Sequence, residues 1–272
     1  MNVAYCIDEN YVRHAAVSVR SLCNNYEEDL DIWIVSSDDL SDVAMKWLKA
    51  AVDGSDSRIH FANVIDARKG VGVSTMRSVA RVTEAMYLRF HLGDILPSDG
   101  GNCVYVDADT LFTSPGLQDL AKVKLERELL GAVRDVGCRR LSDFGGLPGI
   151  ERLPRRVVDA PYFNSGLLVL RPEVWRQMQV KDRCYEYLAS VAERRFPDQD
   201  ALNFVAAGQW YRLNKRYNYL MGSRLDNRAH QDLSKAVMIH AAGPWKFWDS
   251  GFPSGARKDL YLTLEASLAD MI

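Results

Sequence analysis

The sequence predicts an α/β fold with a mostly parallel central sheet flanked by helices. Short β-rich runs alternate with longer stretches of helical spacing over the first hundred residues, which is how strands joined by crossover helices read. An apolar fraction of 47% in 272 residues is ample for a packed core, so disorder is not expected. No internal repeat, low-complexity tract or Pro/Gly/Ser-rich linker interrupts the chain, so a single domain over 1–272 is expected, regular in 1–109 and elaborated in 110–272.

Val3 to Ile7 reads as the first strand, and the stripe Ala15, Ala16, Val19, Leu22 and Cys23 as the first helix. Leu30 to Val35 is the second strand, after which Ser41 opens a helix carrying Val43, Trp47 and Ala51 on one side. Arg58 to Val64 alternates as a third strand, and Val79 to Leu92 reads as a helix closed by Gly93 and Pro97. The fourth strand, Asn102 to Val106, runs into Asp107-Ala108-Asp109. Leu130 to Val133 and Phe163 to Leu170 follow as strands. Pro172 to Ala192 and Gln199 to Ala207 read as helices, Val237 to His240 as a short strand and Lys258 to Met271 as a closing helix. Between the strands Leu130–Val133 and Phe163–Leu170, Asp135 to Pro161 is too long for an ordinary connection, which marks it as functional or mobile.

Composition narrows the function classes. Thirty-four Lys+Arg against thirty-six Asp+Glu leave a net charge of -2, not the basic excess of a general nucleic-acid binder. No apolar stretch approaches the roughly 18–20 residues that span a bilayer, and no leader-like start is present, so a cytoplasmic chain is expected. The five scattered cysteines suggest neither a disulfide framework nor a zinc knuckle.

Two carboxylates at the end of a buried strand, Asp107 and Asp109, repel unless a cation, a proton or donors stabilise them. Alternation sends them to opposite sides of an ideal strand, so the chain must turn for both to reach one ion. His240 ends the apolar run Val237-Met238-Ile239 and precedes Gly243 and Lys246. An imidazole beside carboxylates suits Mn²⁺ better than Ca²⁺ and admits Mg²⁺. Gly243 would let backbone approach a phosphate whose charge Lys246 could offset.

The blocks Ala4-Tyr5-Cys6-Ile7-Asp8-Glu9-Asn10-Tyr11, Tyr87-Leu88-Arg89, Tyr105-Val106-Asp107-Ala108-Asp109, Phe163-Asn164-Ser165-Gly166, Asp198-Gln199-Asp200-Ala201-Leu202-Asn203 and His240-Ala241-Ala242-Gly243-Pro244-Trp245-Lys246 stand in one order. Together they resemble family-8 retaining glycosyltransferases, similar in outline to bacterial lipooligosaccharide α-galactosyltransferases and more distantly to glycogenin. The resemblance implies a GT-A fold that moves galactose or glucose from a UDP-sugar to a glycan or glycolipid hydroxyl, as in lipopolysaccharide biosynthesis. It implies Asp107, Asp109 and His240 as metal ligands, and Ala4, Asp8 and Asn10 near the uridine. It places Arg89, Asp107, Ala108, Gly243 and Lys246 toward the sugar and diphosphate, Asp135 and Asn164 on the donor sugar, and Asp198 with the Gln199 carbonyl at the reaction centre. Asp8 and Asp198 could each also cap a helix. With no transmembrane segment, any membrane contact is expected to be peripheral, and the ending Leu268 to Ile272, unlike the basic, aromatic tail of the family's better-known bacterial members, argues against it. The oligomeric state is not legible.

Most aromatics among Trp210, Tyr217, Tyr219, Trp245, Phe247, Trp248 and Phe252 are expected in the core. Arg139, Arg140, Arg152, Arg155 and Arg156 form either a solvated lid or a surface for an anionic acceptor. Two other classes compete. Asp107-Ala108-Asp109-Thr110-Leu111 also resembles the nucleophile motif of haloacid-dehalogenase-like, Mg²⁺-dependent phosphatases, although that motif stands on a first strand. The third reading is a non-catalytic sugar-nucleotide or glycan binder.

Overall fold

The computed structural model describes residues 1–64, 84–99, 101–192, 195–221 and 235–272. Among these residues, the main sheet has seven strands: β1 (Asn2–Cys6), β2 (Asp31–Ser36), β3 (Arg58–Asn63), β4 (Cys103–Val106), β6 (Leu130–Arg134), β7 (Phe163–Leu170) and β8 (Trp210–Arg212). They lie in the order β3-β2-β1-β4-β7-β6-β8, and β7 alone runs against its neighbours. A second sheet, in the order β5-β10-β9, joins β5 (Thr110–Phe112), β10 (Met238–His240) and β9 (Tyr219–Leu220). The mostly parallel sheet is as expected; the small second sheet is not.

Alternation along β1 explains the layering. Val3 and Tyr5 face one core cluster, shared with α1 (Val12–Cys23), α2 (Asp42–Val52), α7 (Ala256–Ala269) and the second sheet. Ala4 faces the other, shared with α3 (Leu92–Ile95), α4 (Pro172–Gln177), α5 (Val180–Ser190) and α6 (Pro197–Val205).

Several local expectations change. In α2, Ser41 caps the first turn by accepting Ala44 N–H, but Val43 is exposed and the buried stripe is Ala44, Trp47, Leu48 and Ala51. The β3 strand is an edge, and Phe61 on it faces solvent. Of the helix expected over Val79–Leu92, residues 79–83 lie outside the described residues. Glu84–His91 is a 3₁₀ helix and Leu92–Ile95 is α. Gly93 does not end this helix: a Cβ there would sit 2.9 Å from Trp175 Cβ, so glycine serves close packing on α4. The end comes at Leu96, held extended before Pro97.

The single helix expected over Pro172–Ala192 is broken at Gln179, which takes a left-handed conformation between α4 and α5. The connection 135–161 is a built structure, with three 3₁₀ turns and its own apolar cluster of Cys138, Leu141, Leu147 and Tyr162. Arg152 in it is tied down, donating to Ser190 Oγ and lying over the Phe204 ring. All five cysteines are free thiols. Among the described residues, no helix is long and apolar enough to cross a membrane.

Candidate active site

The seam between the two sheets gathers the polar residues. After β4 the chain turns through Asp107-Ala108-Asp109, with Thr110 Oγ1 donating back to the Asp107 carbonyl at 2.8 Å, and re-enters as β5. Antiparallel pairing sets His240 of β10 opposite Thr110, and Ala241 N–H donates to the Asp109 carbonyl. The imidazole therefore arrives beside the second aspartate. Its Nε2 lies 3.1 Å from Asp109 Oδ1 and 3.7 Å from Asp107 Oδ2, and one ligand atom from each of the three lies within 4.8 Å of the others. Two carboxylates and an imidazole converging so closely fit a divalent first-row ion. Gly166 of β7 makes the approach feasible, since a Cβ there would stand 2.2 Å from His240 Cε1.

Charge balances charge around this trio. Lys246 Nζ reaches Asp109 Oδ2 at 2.5 Å and the Ala241 carbonyl at 2.8 Å. Burial alone would raise the Asp109 carboxyl, but Lys246 and His240 outweigh it and hold that group well below the usual carboxylate range. Arg89 is buried and lies 3.1 Å from Asp107 Oδ1 and 2.9 Å from Asp198 Oδ2. Burial opposes its charge, yet the two aspartates hold the guanidinium firmly protonated. Tyr105 supports the pair, donating to Asp107 Oδ1 and placing its ring 4.7 Å from the guanidinium carbon. Burial raises the Asp198 carboxyl; Arg89 opposes that shift and Asp107 adds to it.

Beside them lies an amide network. Asn164 Nδ2 is 3.1 Å from Gln199 Oε1 and 3.3 Å from Asp135 Oδ2, and Ser165 N–H donates to Gln199 Oε1 at 2.9 Å. Arg89, Asp107, Asp109, Asp135, Asn164, Asp198, Gln199, His240, Gly243 and Lys246 all border one cleft of about 380 Å³. Val136 and Phe196, both half exposed, border it too and were not expected.

Other expected residues stand elsewhere. Asp8 and Asn10 follow the end of β1, where Asp8 Oδ1 accepts Asn10 N–H and Tyr11 N–H and caps the turn into α1; neither borders the cleft among the described residues. Ala108 is half-buried between the two aspartates. Ala4 has no exposed surface, pairs with both β2 and β4, and its methyl lies in the core. Asp198 does not cap α6 either. The N-cap is Phe196, and Asp200 accepts the N–H groups of Arg195 and Phe196. The Gln199 side-chain carbonyl, at the border of the cleft, accepts Ser165 N–H and Asn164 Nδ2. Of the aromatics around Lys246, Phe247 and Phe252 are core, Trp248 stacks on His14, and Trp245 is exposed.

Sequence reasoning missed Tyr105, Ser165 and Asn218. Asn218 joins His240 Nδ1 at 3.0 Å to Asn164 Oδ1 at 2.8 Å, and a lone amide between two tyrosines gives no signal of spacing.

The sequence model described as "Glycosyl transferase family 8" matches residues 2–251. The chain belongs to this family. The lipopolysaccharide 1,2-glucosyltransferase of Escherichia coli strain K12 is 25% identical over 260 residues, covering 91% of this chain and 73% of that protein. General stress protein A of Bacillus subtilis strain 168 is 24% identical over 278 residues, covering 92% and 88%. The crystal structure of galactosyltransferase LgtC in complex with donor and acceptor sugar analogs has a TM-score of 0.77 at 20% identity, covering 98% and 96%. That likeness shows the GT-A fold. Family membership makes the chain a glycosyltransferase and sets the phosphatase reading aside.

Proposed function

We propose that this family-8 enzyme moves a hexose, glucose or galactose, from a UDP-sugar to a hydroxyl of a glycan or glycolipid, keeping the anomeric configuration. The observation that carries the reading is the convergence of Asp107, Asp109 and His240 within 4.8 Å, bordering a cleft shared with Arg89, Asp198 and Gln199. Those three side chains would hold Mn²⁺, with Mg²⁺ as a substitute. A bound divalent ion supplies charge neutralisation to a departing diphosphate. Lys246 and Gly243 at the rim add an ammonium and a closely approachable backbone for phosphate oxygens. Asp135, with Asn164 bonded to it, presents an acceptor to sugar hydroxyls, and Arg89 holds the Asp198 carboxylate in place. Asp8 and Asn10 serve the uridine from the end of β1.

Retention is assigned to same-face attack, in which the leaving phosphate accepts the incoming hydroxyl's proton, because an amide such as Gln199 is a poor nucleophile. A glycan or glycolipid acceptor fits the E. coli relative, itself a lipopolysaccharide glucosyltransferase, and implies work in the cytoplasm at the inner face of the membrane. The test is a screen of UDP-hexoses for slow Mn²⁺-dependent hydrolysis, followed by an anomeric NMR time course with acceptors. Tight UDP binding without hydrolysis or transfer would sink the enzyme reading, and an inverted product would sink the stereochemistry.

A further inference from the structure

Asn218 is 1% exposed and stands between the proposed metal ligands and the proposed sugar site. The polarity of its hydrogen bonds is dictated by the backbone. Gly166 N–H can only donate, and it donates to Asn164 Oδ1 at 3.0 Å. That oxygen is therefore an acceptor, so the Asn218 atom 2.8 Å from it must be the amide nitrogen Nδ2. Asn218 Oδ1 is then the atom 3.0 Å from His240 Nδ1. A carbonyl oxygen only accepts, so Nδ1 carries a proton, and Nε2 is the nitrogen left to a cation. Nε2 is the atom that faces Asp107 and Asp109.

The same polarity runs outward. Ser165 N–H fixes Gln199 Oε1 as an acceptor at 2.9 Å, so the Asn164 atom 3.1 Å away is Nδ2, also directed at Asp135 Oδ2. Both ends of the Asn164 amide are set, one by Gly166 and Asn218, the other by Gln199 and Asp135.

We infer that Asn218 is a positioning residue for transfer. It fixes His240 in the tautomer that offers Nε2 to a divalent cation, and with the other end of the same amide it holds Asn164 against Gln199 and Asp135. This rests on the metal-dependent reading proposed above. A buried imidazole has no tautomer preference strong enough to serve a metal unless its second nitrogen finds an acceptor, and outer partners of this kind commonly matter nearly as much as the ligands themselves.

The tautomer is read without metal, from long-range ¹H–¹⁵N correlation spectra of the uniformly labelled full chain, with the His240 signals identified by their loss in His240→Gln. Nδ1 is expected to carry a proton; an Nδ1 without one overturns the inference. Asn218→Leu removes both hydrogen bonds with similar volume and should lower Mn²⁺ affinity, followed by the electron paramagnetic resonance of free Mn²⁺ with UDP present, by roughly ten- to a hundredfold. Asn218→Asp returns an acceptor to Nδ1 but sets its other oxygen against Asn164 Oδ1, so it should regain only part of that affinity, about threefold or more over the Leu variant. A folded Asn218→Leu that holds Mn²⁺ like the wild type overturns the inference, as does an Asp variant no better than the Leu one. Failure of the wild type to bind Mn²⁺ with UDP would overturn the transfer reading and the role given to the tautomer, while the metal-free spectrum still reports the tautomer itself.

Discussion

Gly166→Ala tests how tightly the two sheets are closed around the ligand trio. An added methyl would lie 2.2 Å from His240 Cε1, 2.6 Å from its Nδ1 and 2.9 Å from Asp107 Oδ2. Carbon atoms pack at about 3.5–4.0 Å, so the imidazole must retreat by about 1.3 Å or β7 must lift away from β4. Neither is easy. His240 is 3% exposed and tied through Nδ1 to Asn218, and Gly166 itself accepts Asp107 N–H at 2.9 Å across the β4–β7 pairing. Metal–ligand distances tolerate only about 0.2 Å, so the displaced ring leaves the coordination set. Losing a ligand should weaken Mn²⁺ binding by on the order of a hundredfold or more, beyond what loss of an outer partner does. The fold should survive, because overpacking of this kind costs about 1–3 kcal/mol, a fall in Tm of roughly 2–12 °C. Mn²⁺ titration with UDP present, alongside a thermal melt, separates the two effects. Wild-type Mn²⁺ affinity and UDP-hexose hydrolysis in Gly166→Ala would refute the placement of His240 as a ligand.

Stability should fall in mild acid through His14. Its ring stacks on Trp248 at 3.5 Å and bonds Tyr261 Oη, and burial lowers its pKa from 6.5 to about 4 against the pull of Asp109 and Asp249. The unfolded chain binds this proton first, so the contribution is complete above about pH 6.5 and drains away as pH falls toward 4, by up to about 3 kcal/mol. His14→Phe should flatten that slope in urea unfolding at pH 7, 5.5 and 4.5; an unchanged slope counts against the assignment. Arg89→Met should strand Asp107 and Asp198 without their shared cation, costing about 3–5 kcal/mol and roughly 6–20 °C in Tm. A melt like the wild type's would show that the pairing is not needed by the fold.

What the sequence revealed and what it hid follow from physics. Asp107, Asp109 and His240 were visible because each is a polar residue ending an apolar run, and burial of that run fixes where the polar group must emerge. Phe163–Leu170 was exact because all eight residues are buried, which leaves no ambiguity of face. Of the second sheet only β10 was legible, at the end of the run Val237–His240, because β5 and β9 have only three and two residues. Such lengths carry no period, and their pairing is decided by distant chain. The break at Gln179 was hidden because a non-glycine residue adopts the left-handed conformation there, with no Gly or Pro to mark it. Val43 was misassigned by one position, a 100° error on a helix that tertiary packing resolves.

The hydrogen bonds of Gln199 bear on the same-face attack proposed above. Its side-chain oxygen is taken by Ser165 N–H and Asn164, and its backbone oxygen accepts Asn203 Nδ2 at 2.9 Å. Both carbonyls are engaged, and the end directed toward Asp135 is the amide nitrogen, a donor without nucleophilic character. The neighbouring carboxylates are engaged as well. Asp198 is paired with Arg89 at 2.9 Å, while Asp135 accepts Gly137 and Cys138 N–H on one oxygen and Asn164 on the other. A carboxylate whose charge is spread over such donors is a weakened nucleophile. A double displacement would have to break one of these arrangements before it began, whereas same-face attack leaves them intact and uses the phosphate oxygen as base. The donors that freeze the sugar site into one shape are thus the same groups that remove its candidate nucleophiles.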